Sequence, residues 1–142
     1  MMTGTRNATE TGLPVAERSL EVLLDNVPDR IFFKDLDSRF TRVNAAFAQH
    51  VGLTDPRDAL GKSDVDYFPP ADAQAYLAEE HIVLTTGDAL IGKPESRVCP
   101  DGETRWVLTN KVPIRDGDGR ITGLVGISRE ITKRKAAEDA LR

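Results

Sequence analysis

A chain of 142 residues fits one domain and leaves little for a second. With 39% hydrophobic and 30% charged residues it can bury a core without metal or disulfide support, and a net charge of −4 with both signs interleaved leaves no basic field to hold nucleic acid. The single cysteine, Cys99, excludes an internal disulfide and suits a reducing compartment; no apolar run approaches the ~20 residues that cross a bilayer, and the chain reads as cytoplasmic.

Residues 1–14, rich in Thr, Gly and Asn, carry no apolar periodicity and read as a flexible lead-in without the apolar stretch of a signal peptide. Over 15–27, Ala16, Leu20, Leu23, Leu24 and Val27 recur at helical spacing until Pro28 stops them. Two strands follow, at 30–35 and 39–44, joined by the turn chemistry of Asp35-Leu36-Asp37-Ser38. Asn44 is placed to cap a short helix over 45–51, and Pro56 opens another through Leu60. Pro69-Pro70 leads into a long helix over 71–86 that Gly87 closes. Three antiparallel strands come last, at 90–99, 103–114 and 121–131, turned by Pro100-Asp101-Gly102 and Asp116-Gly117-Asp118-Gly119. On the middle one, Trp106, Leu108, Asn110, Val112 and Ile114 share a face. A charged helix over 132–142 carries Ala137, Ala140 and Leu141, positions that suit a coiled-coil seam, and Thr132 is placed to cap it. Strands split by a block of helices favour an α+β fold.

Catalytic constellations are absent. The only histidines are His50 and His81, no Gly-x-Ser-x-Gly elbow exists, and Gly61-Lys62-Ser63 lacks the upstream glycine of a phosphate loop because Pro56 stands there. The chain is read as no enzyme, with no catalytic residue and no metal site.

Four segments in this order resemble the PAS family, in particular the bacterial modules placed before histidine kinases and diguanylate cyclases. They are 29–35 with 40–44, 61–69 (Gly-Lys-Ser-Asp-Val-Asp-Tyr-Phe-Pro), 100–106 (Pro-Asp-Gly-Glu-Thr-Arg-Trp) and 123–135. The resemblance implies a five-stranded antiparallel sheet of order 2-1-5-4-3 with helices on one face, an N-terminal flanking helix and a C-terminal exit helix. It divides the chain into a lead-in (1–14), a PAS domain (15–131) and the start of a signalling helix (132–142). One departure is Glu130, where the family usually has the Asp of an Asp-Ile-Thr ending.

The function this implies is a sensory module. A small ligand or partner domain settles between the long helix and the sheet, and the change passes through Glu130, Ile131 and Thr132 to an effector in the same polypeptide. The candidate pocket residues are Phe47, Tyr67, His81, Leu84, Trp106, Leu108, Asn110 and Val125. Asn110, polar on an apolar face, needs a partner. Haem is disfavoured because His81 lies late on its helix compared with haem-binding relatives. Flavin photochemistry is disfavoured because Cys99 sits beside a hairpin turn and not in a segment of the Asn-Cys-Arg-Phe-Leu type. A homodimer through the N-terminal helix is the expected assembly. The alternative is a ligand-free interaction and dimerisation domain with a filled core.

Overall fold

The computed structural model describes residues 15–92, 94–98 and 102–141. The expected lead-in over 1–14, Cys99 and the Pro100-Asp101 half of the hairpin turn lie outside them.

Helix α1 covers 15–26. After it come β1 (Arg30–Asp35), β2 (Phe40–Val43), α2 (Ala45–His50) and two single 3-10 turns, Pro56–Ala59 and Asp64–Asp66. Helix α3 (Pro70–Thr86) precedes β3 (Leu90–Ile91), β4 (Glu95–Val98), β5 (Thr104–Arg115), β6 (Ile121–Glu130) and α4 (Thr132–Ala140). The sheet runs β2-β1-β6-β5-β3, with β4 also paired to β5, and every pairing is antiparallel. Helix α2, the 3-10 turns and α3 cover its inner face.

Six strands replace the five expected. The strand anticipated over 90–99 breaks in two because Gly92 and Pro94 cannot continue a ladder there. The Gly92 amide donates to the Asn110 side-chain oxygen at 2.9 Å, and a Cβ on Gly92 would stand 1.9 Å from the Thr109 carbonyl oxygen. Pro94 has no N–H to give. Counted as one broken edge strand, β3 and β4 restore the anticipated order.

Asn44 fixes the start of α2 and much else. Its Oδ1 accepts from the amides of Phe47 and Ile31, and its Nδ2 donates to the carbonyls of Leu24 and Asp29. A fully buried amide that satisfies both its oxygen and its nitrogen joins α1, β1 and α2 at one point.

The core is aromatic. Phe40 lies 6.1 Å from Phe32 and 5.1 Å from Phe47, ring centroid to centroid, and Val43, Ala48, Ala59, Val83 and Leu124 close around them. Each fully buried ring contributes about 1.5–3 kcal/mol. Gly126 makes the packing possible, since a Cβ there would fall 2.1 Å from the Phe32 ring.

Candidate functional site

Strand alternation decides what faces the helices. From β5 the inner positions are Arg105, Val107, Thr109 and Lys111; from β1 they are Arg30, Phe32 and Lys34; from β6, Ser128 and Glu130. Helix α3 answers with Ala73, Tyr76, Glu80 and Val83, one turn apart along its inner stripe. Between them lies a cavity of about 190 Å³, walled by Phe32, Phe47, Phe68 and Tyr76 and floored by polar groups.

That floor is an ion cluster. Lys34 donates to Asp64 Oδ2 at 2.6 Å and to both Glu80 oxygens at 2.7 and 2.8 Å. Lys111 donates to Glu80 Oε2 at 2.8 Å, with the partly exposed Glu79 3.6 Å away. The side chains of Lys34 and Glu80 are 0% exposed, those of Lys111 and Asp64 3% and 4%. Aromatic faces complete the shell: the Lys34 ammonium stands 4.7 Å from the Phe40 ring centre and that of Lys111 5.1 Å from Tyr76. Burial pushes the Asp64 carboxyl above its ordinary value; Lys34 opposes the shift and the charge of Glu80 adds to it. Among the described residues no group of His, Cys, Asp and Glu is placed to hold a metal ion.

Of the pocket residues anticipated from sequence, Phe47 lines the cavity. The others fall elsewhere, for identifiable reasons. Trp106, Leu108 and Asn110 alternate with the inner residues of β5 and so lie on the outer face of the sheet, as does Val125 next to inward Leu124. His81 is exposed, one position past inward Glu80. Tyr67 and Leu84 are half-buried against the core, the Tyr67 ring 5.9 Å from Phe40, with burial pushing its phenol up. Asn110 finds its partner in the Gly92 amide.

Sequence reasoning missed Lys34, Asp64, Glu80 and Lys111 because charged residues are ordinarily assigned to solvent. A signal was present. Lys34 is two residues from Phe32, Lys111 two from Thr109, and Glu80 lies four from Tyr76 and three from Val83, each in register with an inward neighbour.

The junction with α4 is bonded on both sides. The Ile131 amide donates to the Trp106 carbonyl at 2.8 Å, and the Trp106 amide donates to the Thr132 hydroxyl oxygen at 3.0 Å. That hydroxyl in turn donates to Glu130 at 3.1 Å, so it ties helix to strand and caps nothing, contrary to expectation. The Lys135 ammonium sits 5.1 Å from the Trp106 ring centre. Glu130, longer than the family's usual Asp, lies 4.0 Å from Arg105.

Comparison with known proteins places these features. A family model described as PAS fold matches residues 24–136. The methanogenesis regulatory histidine kinase FilI of Methanothrix harundinacea is 30% identical over 88% of this chain and 14% of its own length. The aerobic respiration control sensor protein ArcB of Escherichia coli is 31% identical over 86% of this chain and 15% of its own length. The chain therefore spans only 14–15% of these curated relatives. Among solved structures, the VqmA–ligand–DNA complex of Vibrio cholerae superposes with a TM-score of 0.69, at 27% identity, over 80% of this chain and 51% of that one.

Glu80→Gln leaves two buried ammonium groups facing a neutral amide, and we expect it to cost about 3–5 kcal/mol in urea unfolding. Glu79→Gln, at a solvated position, should cost less than about 1 kcal/mol. Asp64 supplies a pH signature. Its folded pKa is raised, so its contribution to stability is full below the ordinary carboxylate value of 3.8 and is lost as pH rises through the folded value. The stability advantage of the wild type over Asp64→Asn should accordingly shrink between acid and neutral pH; an advantage that grows instead would reverse the assignment.

Proposed function

The chain belongs to the PAS-fold family, and from that premise we propose that it is a sensory module that takes a small molecule into the cavity between α3 and the sheet and relays its presence through β5 to the helix after Thr132. One observation carries the reading. Trp106, whose backbone holds both Ile131 and Thr132, lies between the cavity residues Arg105 and Val107 on a single strand. Any ligand that prefers one position of β5 biases the start of α4, and only such differential affinity can transmit a signal. Glu130, Ile131 and Thr132 are the relay residues of this scheme. VqmA, a similar structure, is known in complex with a ligand, which supports ligand binding by the present chain.

The histidine kinase and sensor relatives support a kinase as the effector, held elsewhere in a longer polypeptide. A diguanylate cyclase is the other effector class compatible with the fold, which by itself does not select one. The domain needs no catalysis of its own for this role. Among the described residues no helix is long and apolar enough to cross a membrane.

Filling the cavity tests the relay. We expect Val107→Trp to change hydrogen exchange of the amides over 132–140, which report how firmly α4 is held. Unchanged exchange there, with the domain folded and the cavity residues shifted, refutes the coupling.

A dimerisation role is favoured by α1, on which Val22 and Leu23 are 62% and 59% exposed while Leu24 is buried. A second copy is the occupant we assign to that stripe. Sedimentation velocity should show a dimer that Leu23→Glu converts to monomer; a monomeric wild type at high concentration removes this part of the reading.

A further inference from the structure

The side of the sheet that faces away from the helices is largely apolar. Strand register lays Ile91, Asn110, Ile127 and Ile31 in one row across β3, β5, β6 and β1. The neighbouring row holds Val112, Val125 and Phe33. Ile91 is 71% exposed and Ile127 40%, so water meets the first row directly. The polar groups in and around these rows are engaged within the chain. Asn110 accepts from the Gly92 amide, Arg129 pairs with Asp29 at 2.9 Å, and the Asp35 carboxylate takes the amides of Asp37 and Arg39. The rows therefore offer an occupant mainly apolar contact.

Helix α1 leaves this side bare, for each of its residues except Leu24 is exposed. The domain holds only the stripe of Glu17, Glu21 and Leu24. Arg42, at the margin of the sheet beside Phe33, pairs with the two carboxylates at 3.4 and 3.7 Å, and the Leu24 carbonyl accepts from Asn44. Ala16, Leu20 and Leu23 follow another stripe, about a quarter turn away, which is apolar and exposed.

Two bare apolar surfaces on one chain can cover each other in a two-fold pair. Pairing helix with helix, or sheet with sheet, would bury one and leave the other in water. The sizes agree as well. The α1 helix over 15–26 runs about 18 Å, and the four strands of the first row span roughly 15 Å. One such contact covers roughly 270 Å² of each surface, so the two contacts of a symmetric pair bury on the order of 1,100 Å², enough for a specific interface. A lone helix-to-helix contact falls well short of that.

We infer that α1 of one copy docks by Leu20 and Leu23 across the outward rows of a second copy, and the reverse, so that each sheet carries its partner's helix. This rests on the dimer assigned to α1 above and states where that helix goes.

Complementary charges test it on the whole chain by sedimentation velocity. At a concentration where the wild type is dimeric, Ile127→Lys and Leu23→Glu should each raise the dimer dissociation constant at least about tenfold, since each puts a lone charge into an apolar contact. An equimolar mixture of the two variants should recover dimer. One of its two contacts is then wild type, and the other sets the new carboxylate against the new ammonium. If Ile127→Lys loses the native amide spectrum, Ile91→Lys, in the same row and more exposed, takes its place. A dimer that Leu23→Glu dissociates and Ile127→Lys does not overturns the docking and leaves a pair held helix to helix. A mixture that stays monomeric overturns it too. A wild type that is monomeric at high concentration removes the docking and the dimer together. None of these outcomes touches the cavity as a sensory site, which the exchange of α4 in Val107→Trp decides.

Discussion

Two ammonium groups and two carboxylates, almost wholly withdrawn from water, join four separate parts of this chain. Lys34 comes from β1, Asp64 from a 3-10 turn, Glu80 from α3 and Lys111 from β5. Each ion costs several kcal/mol to desolvate, and an apolar set of equal volume would stabilise the fold at least as well. What the cluster imposes is position. Helix α3 can approach the sheet only where Glu80 meets both lysines, and the irregular segment before it must bring Asp64 to the same point. The cavity exists because the helix is held at that distance and not collapsed onto the strands.

The rest of the interior follows from this spacing. The Phe32, Phe40 and Phe47 rings fill the β2 side, where α2 lies close, and Gly126 gives up its side chain so that the tip of the Phe32 ring can meet β6. Toward β5 the cavity stays open. Val107, Thr109 and Ser128 are small, and the Thr109 and Ser128 hydroxyls satisfy each other at 2.8 Å. Packing is dense on one side and open on the other, which is how one small domain contains both a rigid core and a void.

Most of the fold was legible in the sequence. Asn44 as a cap, the long helix closing at Gly87, the two early strands and the exit helix all sit within a residue or two of their expected bounds. These features depend on local chemistry, which a sequence displays. The site was far less legible. Alternation correctly sorted β5 into two faces, but apolarity pointed to the wrong one. The outward face carries Trp106, Leu108, Val112 and Ile114, and the inward face carries Arg105, Thr109 and Lys111. A face reads as interior when its residues are greasy, yet here the polar face meets other polar groups across the gap. On α3 the same inversion moved attention to His81, although Glu80 holds the inward position. Partners distant in sequence made these charges tolerable, and the separation of 46 residues between Lys34 and Glu80 hides the pairing from any local pattern.

The two-sidedness of β5 has a corollary. Odd-numbered positions from Arg105 to Lys111 touch whatever occupies the void, while Trp106, between them, grips the departing helix through Lys135 and Thr132. Under the proposed sensory role, Arg105, Val107 and Thr109 are the positions at which chemical preference is set, while Lys111 stays committed to Glu80 and Trp106 to the departing helix. Input and output of the strand then reside on different side chains.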